Sequence, residues 1–262
     1  MLKTLTKENN QNAVFVGFLS ISKLIDETHF LIFLYILEEK LEKNILNLKA
    51  VSLIITDFID RHKRKASLAI YDFMKNIDVF KPCRLALLDG IYYAKYFDEI
   101  LVEIAKKSLD TDNSEILTKA LKILSKAERI DEFIKLEEIL TFLKHPSWIV
   151  KLSALKLLEK NLSPEIADYL IPLLEDKNAL VRKYTAKIIF KLPDEVVIRK
   201  LPNLLKIKDV YGRDTLVEKL LISGFWDKLK EYSLKIELKE DIEKIMQFLK
   251  LNYNMKEDQW TY

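Results

Sequence analysis

Residues 139–143 read Ile-Leu-Thr-Phe-Leu, residues 170–174 Leu-Ile-Pro-Leu-Leu and residues 201–205 Leu-Pro-Asn-Leu-Leu, and the three stretches superpose at a constant shift of 31 residues. Downstream, Val150-Lys151 falls on Val181-Arg182 at the same shift, Gly212-Arg213 follows as a weaker third copy, and Leu157-Leu158 falls on Ile188-Ile189. A shift of 34 carries the register upward, placing Leu109, Ile116, Ala120, Ile123 and Leu124 on Leu143, Val150, Ala154, Leu157 and Leu158. Residues 102–223 therefore hold about four copies of a unit made of two apolar stretches at helical spacing with a polar break between them. A helical pair of this length cannot bury its own apolar face, so copies must stack, and terminal copies must differ because one side meets water.

The rest of the chain agrees with a helical reading. Its 262 residues contain only four Gly and six Pro, too few turn formers for sandwiches, barrels, Rossmann sheets or P-loops. Helical periodicity predicts segments at 12–24, 28–43, 48–62, 65–75, 83–96 and 98–108, then at 114–125, 130–143, 147–160, 164–174, 179–190, 194–205 and 213–223, with two more ending near 251. Ser163 before Pro164, and Asp194 after Pro193, are predicted helix caps. The last stretch, 252–262, which includes Trp260 and Tyr262, is polar and expected to fray. A single cysteine, Cys83, excludes an intrachain disulfide, a CxxC pair and a multi-cysteine zinc site, and makes a reducing, cytoplasmic location the default. Apolar runs such as 13–19 and 30–37 fall far short of the ~20 residues that cross a bilayer, so no membrane partner is expected. Lys and Arg total 43 against 40 Asp and Glu, a net charge of +3 spread evenly, so global electrostatics demands no nucleic acid.

The repeat resembles the HEAT family, a branch of the armadillo-like α-solenoids. The resemblance is clearest at Asp176-Lys-Asn-Ala-Leu-Val181-Arg182, which matches the family's acidic residue, four-residue gap and Val-Arg pair at the start of a second helix. Neighbouring copies depart from it: His145 and Ile207 occupy the acidic place, and Leu117 the basic one. The resemblance implies an all-α, right-handed solenoid of stacked helical pairs, with one helix of each pair lining a concave surface that holds a protein or a nucleic acid. On that reading residues 98–251 are HEAT-like repeats with C-terminal capping helices. Residues 1–97 are divergent helical pairs, serving as a cap, as the start of the solenoid or as a separate bundle.

The register exposes two lysine columns. Lys122, Lys156 and Lys187 are equivalent under the shifts of 34 and 31, as are Lys126, Lys160 and Lys191. At 100° per residue, Lys183, Lys187 and Lys191 lie opposite the apolar face of Val181, Ile188, Ile189 and Leu192 and should face solvent, on the side that the resemblance makes concave. They form either a basic groove for an acidic protein segment or a phosphate backbone, or an ordinary solvated face. Arg61-His62-Lys63-Arg64-Lys65 is the densest basic run, a second candidate contact for an anionic partner or simply the cationic end of a helix.

Catalytic constellations are scarce. His29, His62 and His145 form no i, i+4 pair and none precedes a Glu, which removes the helical zinc-hydrolase motif, and neither a metal nor a cofactor is expected. Cys83 reads as a buried thiol rather than a nucleophile, and Tyr92, Tyr93, Tyr96 and Phe97 as core aromatics. Some HEAT-like proteins are alkylpurine DNA glycosylases, but none of their catalytic motif falls on numbered residues here. Trp148 is the one tryptophan within the aligned copies, where a packing role is expected. The function expected is a non-catalytic scaffold or adaptor that binds a macromolecule, a protein before a nucleic acid, with enzymatic activity the lesser alternative and the oligomeric state open.

Overall fold

The computed structural model describes residues 2–75 and 79–254, so Trp260 and Tyr262 of the expected tail lie outside the described residues. Among the described residues are sixteen α-helices, four short 3-10 turns and no strand, the all-α class that the scarcity of Gly and Pro dictates. The chain divides into two compact units, 1–135 and 136–262, so residues 98–135 pack with the N-terminal residues.

The first unit contains α1 (Leu2–Lys7), α2 (Gln11–Ile21), α3 (Phe30–Glu42), α4 (Leu48–His62), α5 (Arg64–Met74), α6 (Lys81–Tyr93), α7 (Glu99–Lys107) and α8 (Ser114–Leu124). Each helix packs on the next but one: α2 on α4, α4 on α6 and α6 on α8 make one row, and α1 on α3, α3 on α5 and α5 on α7 the other. The starts of α4, α6 and α8, at Leu48, Lys81 and Ser114, fall 33 residues apart, so a repeat runs through a region whose side chains do not align. Local chemistry sets the boundaries. The Asn47 side-chain Oδ1 accepts from the Ala50 N–H at 2.9 Å to open α4. Lys63, with φ +50° and ψ −130°, ends it and separates it from α5 by that single residue. The row surfaces meet through an aromatic core in which Phe33 lies 5.2 Å from Phe18 and 5.1 Å from Phe58, and Phe30 lies 4.8 Å from Phe58. Gly90 lets α6 approach α4 closely: a Cβ there would sit 2.5 Å from Ile55 Cγ2 and 3.1 Å from the Ser52 carbonyl oxygen.

Polar side chains fasten this unit at one-repeat range. The Asp60 carboxylate accepts from the N–H groups of Lys95 and Tyr96 at 2.7 and 2.9 Å, and Ser22 donates to Asp57 at 2.7 Å. Lys40, 1% exposed, donates to the Thr6 and Glu8 carbonyls at 3.0 and 2.6 Å. Those carbonyls leave the end of α1, where the last helical C=O groups lack partners, so a buried ammonium is compensated.

The second unit contains α9 (Leu136–Phe142), α10 (Trp148–Leu158), α11 (Ala167–Leu170), α12 (Ala179–Ile189), α13 (Asp194–Leu204), α14 (Val210–Ile222), α15 (Phe225–Tyr232) and α16 (Ile236–Tyr253). α10, α12 and α14 form a row whose starts step by 31 residues, while α9 packs on α10 and α13 on α16. The helix expected at 164–174 is instead four residues of α11 between 3-10 turns at Pro164–Ile166 and Ile171–Glu175, because Pro172 has no N–H with which to continue it. The turn Ile171–Glu175 packs on α12 and α14. A Cβ on Gly212 would lie 2.1 Å from the Leu174 carbonyl oxygen, so only glycine admits α14 at this distance. The expected caps differ. Ser163 makes no capping bond, and its hydroxyl is buried without a partner. Asp194 is the first residue of α13 and pairs with Lys228 at 2.7 Å. Asn252 and Tyr253, placed in the tail from sequence, form the last turn of α16.

Candidate functional site

The row α10, α12 and α14 buries Val150, Ala154, Leu157 and Leu158, then Val181, Thr185, Ile188 and Ile189, then Leu216, Val217 and Leu220. Helical spacing turns the remaining positions to the opposite face, where Leu152 and Lys156 of α10, Leu180, Lys183, Tyr184 and Lys187 of α12, and Thr215, Glu218, Lys219 and Ile222 of α14 line a groove of 510 Å³. Its floor is apolar and wet: Leu180 is 53% and Ile222 67% exposed. Its charges are four lysines and one glutamate.

At one edge Glu159 gathers three donors. Lys187 Nζ lies 2.8 Å and Lys191 Nζ 2.5 Å from its carboxylate, and the Tyr184 hydroxyl donates to it. Burial alone would raise this carboxyl, but the bonds from Lys187, Lys191 and Tyr184 outweigh it and hold the group down at about 2. Burial, and then the bond to that carboxylate, push the Tyr184 phenol up. The Tyr184 ring carries Lys187 Nζ at 4.7 Å and Lys156 Nζ at 5.9 Å from its centroid. Lys156, Lys183 and Lys219 form no ion pair with the described residues.

Of the lysines picked from sequence, Lys156, Lys183 and Lys187 meet in this groove. Lys191 is held by Glu159, and Lys160 is exposed at the end of α10. In the first unit Lys122 is exposed on α8, but Lys126 is corrected. Its ammonium donates to the carbonyls of Tyr92 and Ala94 at 2.8 and 2.9 Å, closing the end of α6, and lies 4.7 Å from the Phe97 ring. Burial lowers its pKa. The column spacing holds, yet this member turns inward, because carbonyls at a helix end attract any cation within reach. The basic run is likewise engaged. Arg61 pairs with Asp57 at 2.7 Å, Arg64 with Glu99 at 2.5 Å and Lys65 with Glu27, while His62 Nε2 lies 2.6 Å from the Ser22 carbonyl oxygen. Lys63 alone of its cations stays exposed without a carboxylate.

Sequence reasoning missed the groove's floor. Leu180 and Tyr184 stand four residues apart beside Lys183 and Lys187, an apolar stripe inside the polar face that the helical wheel already contains. On α14 Ile222 stands three residues after Lys219 and adds a further apolar side chain to the same face. The expected aromatic core at 92–97 is also corrected. Tyr93 is 67% exposed, and Tyr92 packs edge-on to it at 5.1 Å, because α6 ends here and the chain turns outward.

Cys83 is buried, and burial, with Glu38 and Glu42 behind it, pushes its thiol up, opposite to what a nucleophile needs. Among the described residues no cluster of His, Cys, Asp and Glu could hold a metal, and no helix is long and apolar enough to cross a membrane. Trp148, 38% exposed, borders a second cleft with Pro146 and Pro172. There Lys151 pairs with Asp176 at 2.5 Å, and Arg182 donates to the Asp176 carbonyl at 2.7 Å, joining α10 to the start of α12.

These features define an all-α protein of helices in repeating rows, with an open cationic groove on its second unit. No protein-family model matches the chain, and no curated protein matches it in sequence. It is similar to two solved engineered proteins of the Northeast Structural Genomics Consortium. One is 15% identical with a TM-score of 0.47, the match covering 95% of this chain and 77% of that one. The other is 15% identical with a TM-score of 0.35, covering 76% of this chain and 96% of that one.

Proposed function

We propose that the chain is a HEAT-like α-solenoid that acts as a non-catalytic scaffold or adaptor, holding another protein against the groove of its second unit. The groove carries the reading: an exposed apolar floor ringed by lysines is a surface left unsatisfied in the isolated chain. The next-but-one packing of rows, the steps of 31 and 33 residues and the Lys151–Asp176 rung support stacked helical pairs. The lone buried cysteine suits a reducing cytoplasm.

The test is a pull-down from native lysate with and without nuclease, comparing the wild type with Lys156→Glu/Lys183→Glu/Lys219→Glu and with a Lys206→Glu/Lys208→Glu control. The expected result is a protein retained after nuclease, lost with the triple variant and kept with the control. Recovery of nucleic acid alone, or of proteins indifferent to the triple variant, overturns the proposal.

A further inference from the structure

We infer that the groove recognises one short peptide pattern: bulky apolar side chains on the floor of Leu180, Tyr184 and Ile222, and carboxylates against Lys156, Lys183 and Lys219. The inference rests on the scaffold reading above and names the partner's chemistry. Charge is the first argument. Glu159 already neutralises Lys187, which leaves three lysines facing Glu218 alone, an excess of cations around an open depression. Lysine offers point charges without planar pairing, which suits carboxylates presented by flexible side chains.

The floor is the second argument. Leu180 and Ile222 are more than half exposed among the lysines, so an occupant that covers them must supply apolar surface as well as charge. A phosphate backbone fits less well: it brings no aliphatic side chain, Glu218 on the wall repels it, and Tyr184 is the one aromatic ring for a base to stack on. Size is the third argument. Three helices packed about 8–10 Å apart span roughly 20 Å, the length of about six extended residues at about 3.3 Å each. Glu218 also gives the pattern a direction, since it offsets the charge of its neighbour Lys219 on α14 and leaves the strongest pull on a carboxylate between Lys156 and Lys183.

A displayed library of random peptides of about twelve residues, selected on the full chain, tests this. The expected consensus carries at least two Asp or Glu and at least one Leu, Ile, Phe or Trp within about six residues. A fluorescent synthetic copy of the best sequence should bind about tenfold or more weakly to Lys183→Glu and to Ile222→Ser, regain affinity with Lys183→Arg, and bind Lys206→Glu/Lys208→Glu like the wild type. A selection without enrichment, a consensus without acids, or affinity indifferent to both groove variants overturns the inference. So does labelled duplex DNA bound tightly and lost with Lys183→Glu. If the inference fails while the lysate partner is still lost with the triple lysine variant, the scaffold reading stands without it.

Discussion

Lysine serves opposite ends in the two units. In the first, Lys40 and Lys126 turn inward onto carbonyls at the ends of α1 and α6, and each ammonium substitutes for the missing next turn of a helix. In the second, Lys156 and Lys183 stand on an open face and form no ion pair among the described residues. Sequence equivalence does not distinguish these uses, since Lys126 and Lys160 share a column position. What differs is the neighbourhood: a frayed helix end within reach captures the cation, and a smooth helix face leaves it to solvent.

The contrast can be pressed first through backbone proximity. Gly212→Ala drives a Cβ onto a main-chain oxygen that cannot swing away and should destabilise the chain by about 3 kcal/mol or more, whereas Gly90→Ala meets chiefly the Ile55 side chain and should cost about 1–3 kcal/mol. Urea unfolding followed by circular dichroism checks the order, and equal losses would mean that the second unit relaxes as easily as the first. Next come the lysines. Lys126→Met keeps the stem, abandons two carbonyls and should lose about 1–3 kcal/mol, with faster hydrogen exchange at the end of α6, while Lys183→Met should stay within about 0.5 kcal/mol. The last comparison concerns acid. The Glu159 carboxyl titrates at about 2 in the folded chain against an ordinary 4.5, so its bonds stabilise fully above that ordinary value and are lost as pH falls toward the folded one. Between about pH 5 and about pH 3 the urea midpoint of the wild type should fall more steeply than that of Glu159→Gln. Parallel slopes would show that Lys187 and Lys191 gain nothing from Glu159.

Period and class were legible because apolar residues at 139–143, 170–174 and 201–205 must repeat if helices of one unit are to share a core. The helix at 48–62 was legible to the residue, since the apolar spacing from Val51 to Ile59 marks it. The stacking of residues 1–97 was not, because there the regularity lies in backbone steps and in polar bonds such as Asp60 to Lys95, whose residue types do not recur. Half of the site was legible. The wheel placed Lys183 and Lys187 on the solvent face, but only the charges of that face were read, and Leu180 and Tyr184 were passed over. Lys126 was misplaced because the direction of a long flexible side chain depends on what lies one repeat away.

The one-repeat reach of the polar bonds bears on how the molecule assembles. Ser22 to Asp57, Asp60 to Lys95 and Lys126 to Tyr92 each close a loop of 34 or 35 residues. Contacts so local in sequence keep contact order low, so each helical pair finds its neighbour without waiting for distant segments. Folding can then start at any pair and spread in both directions, and length becomes a variable: adding or removing a whole pair changes the number of such loops without opening any of the others.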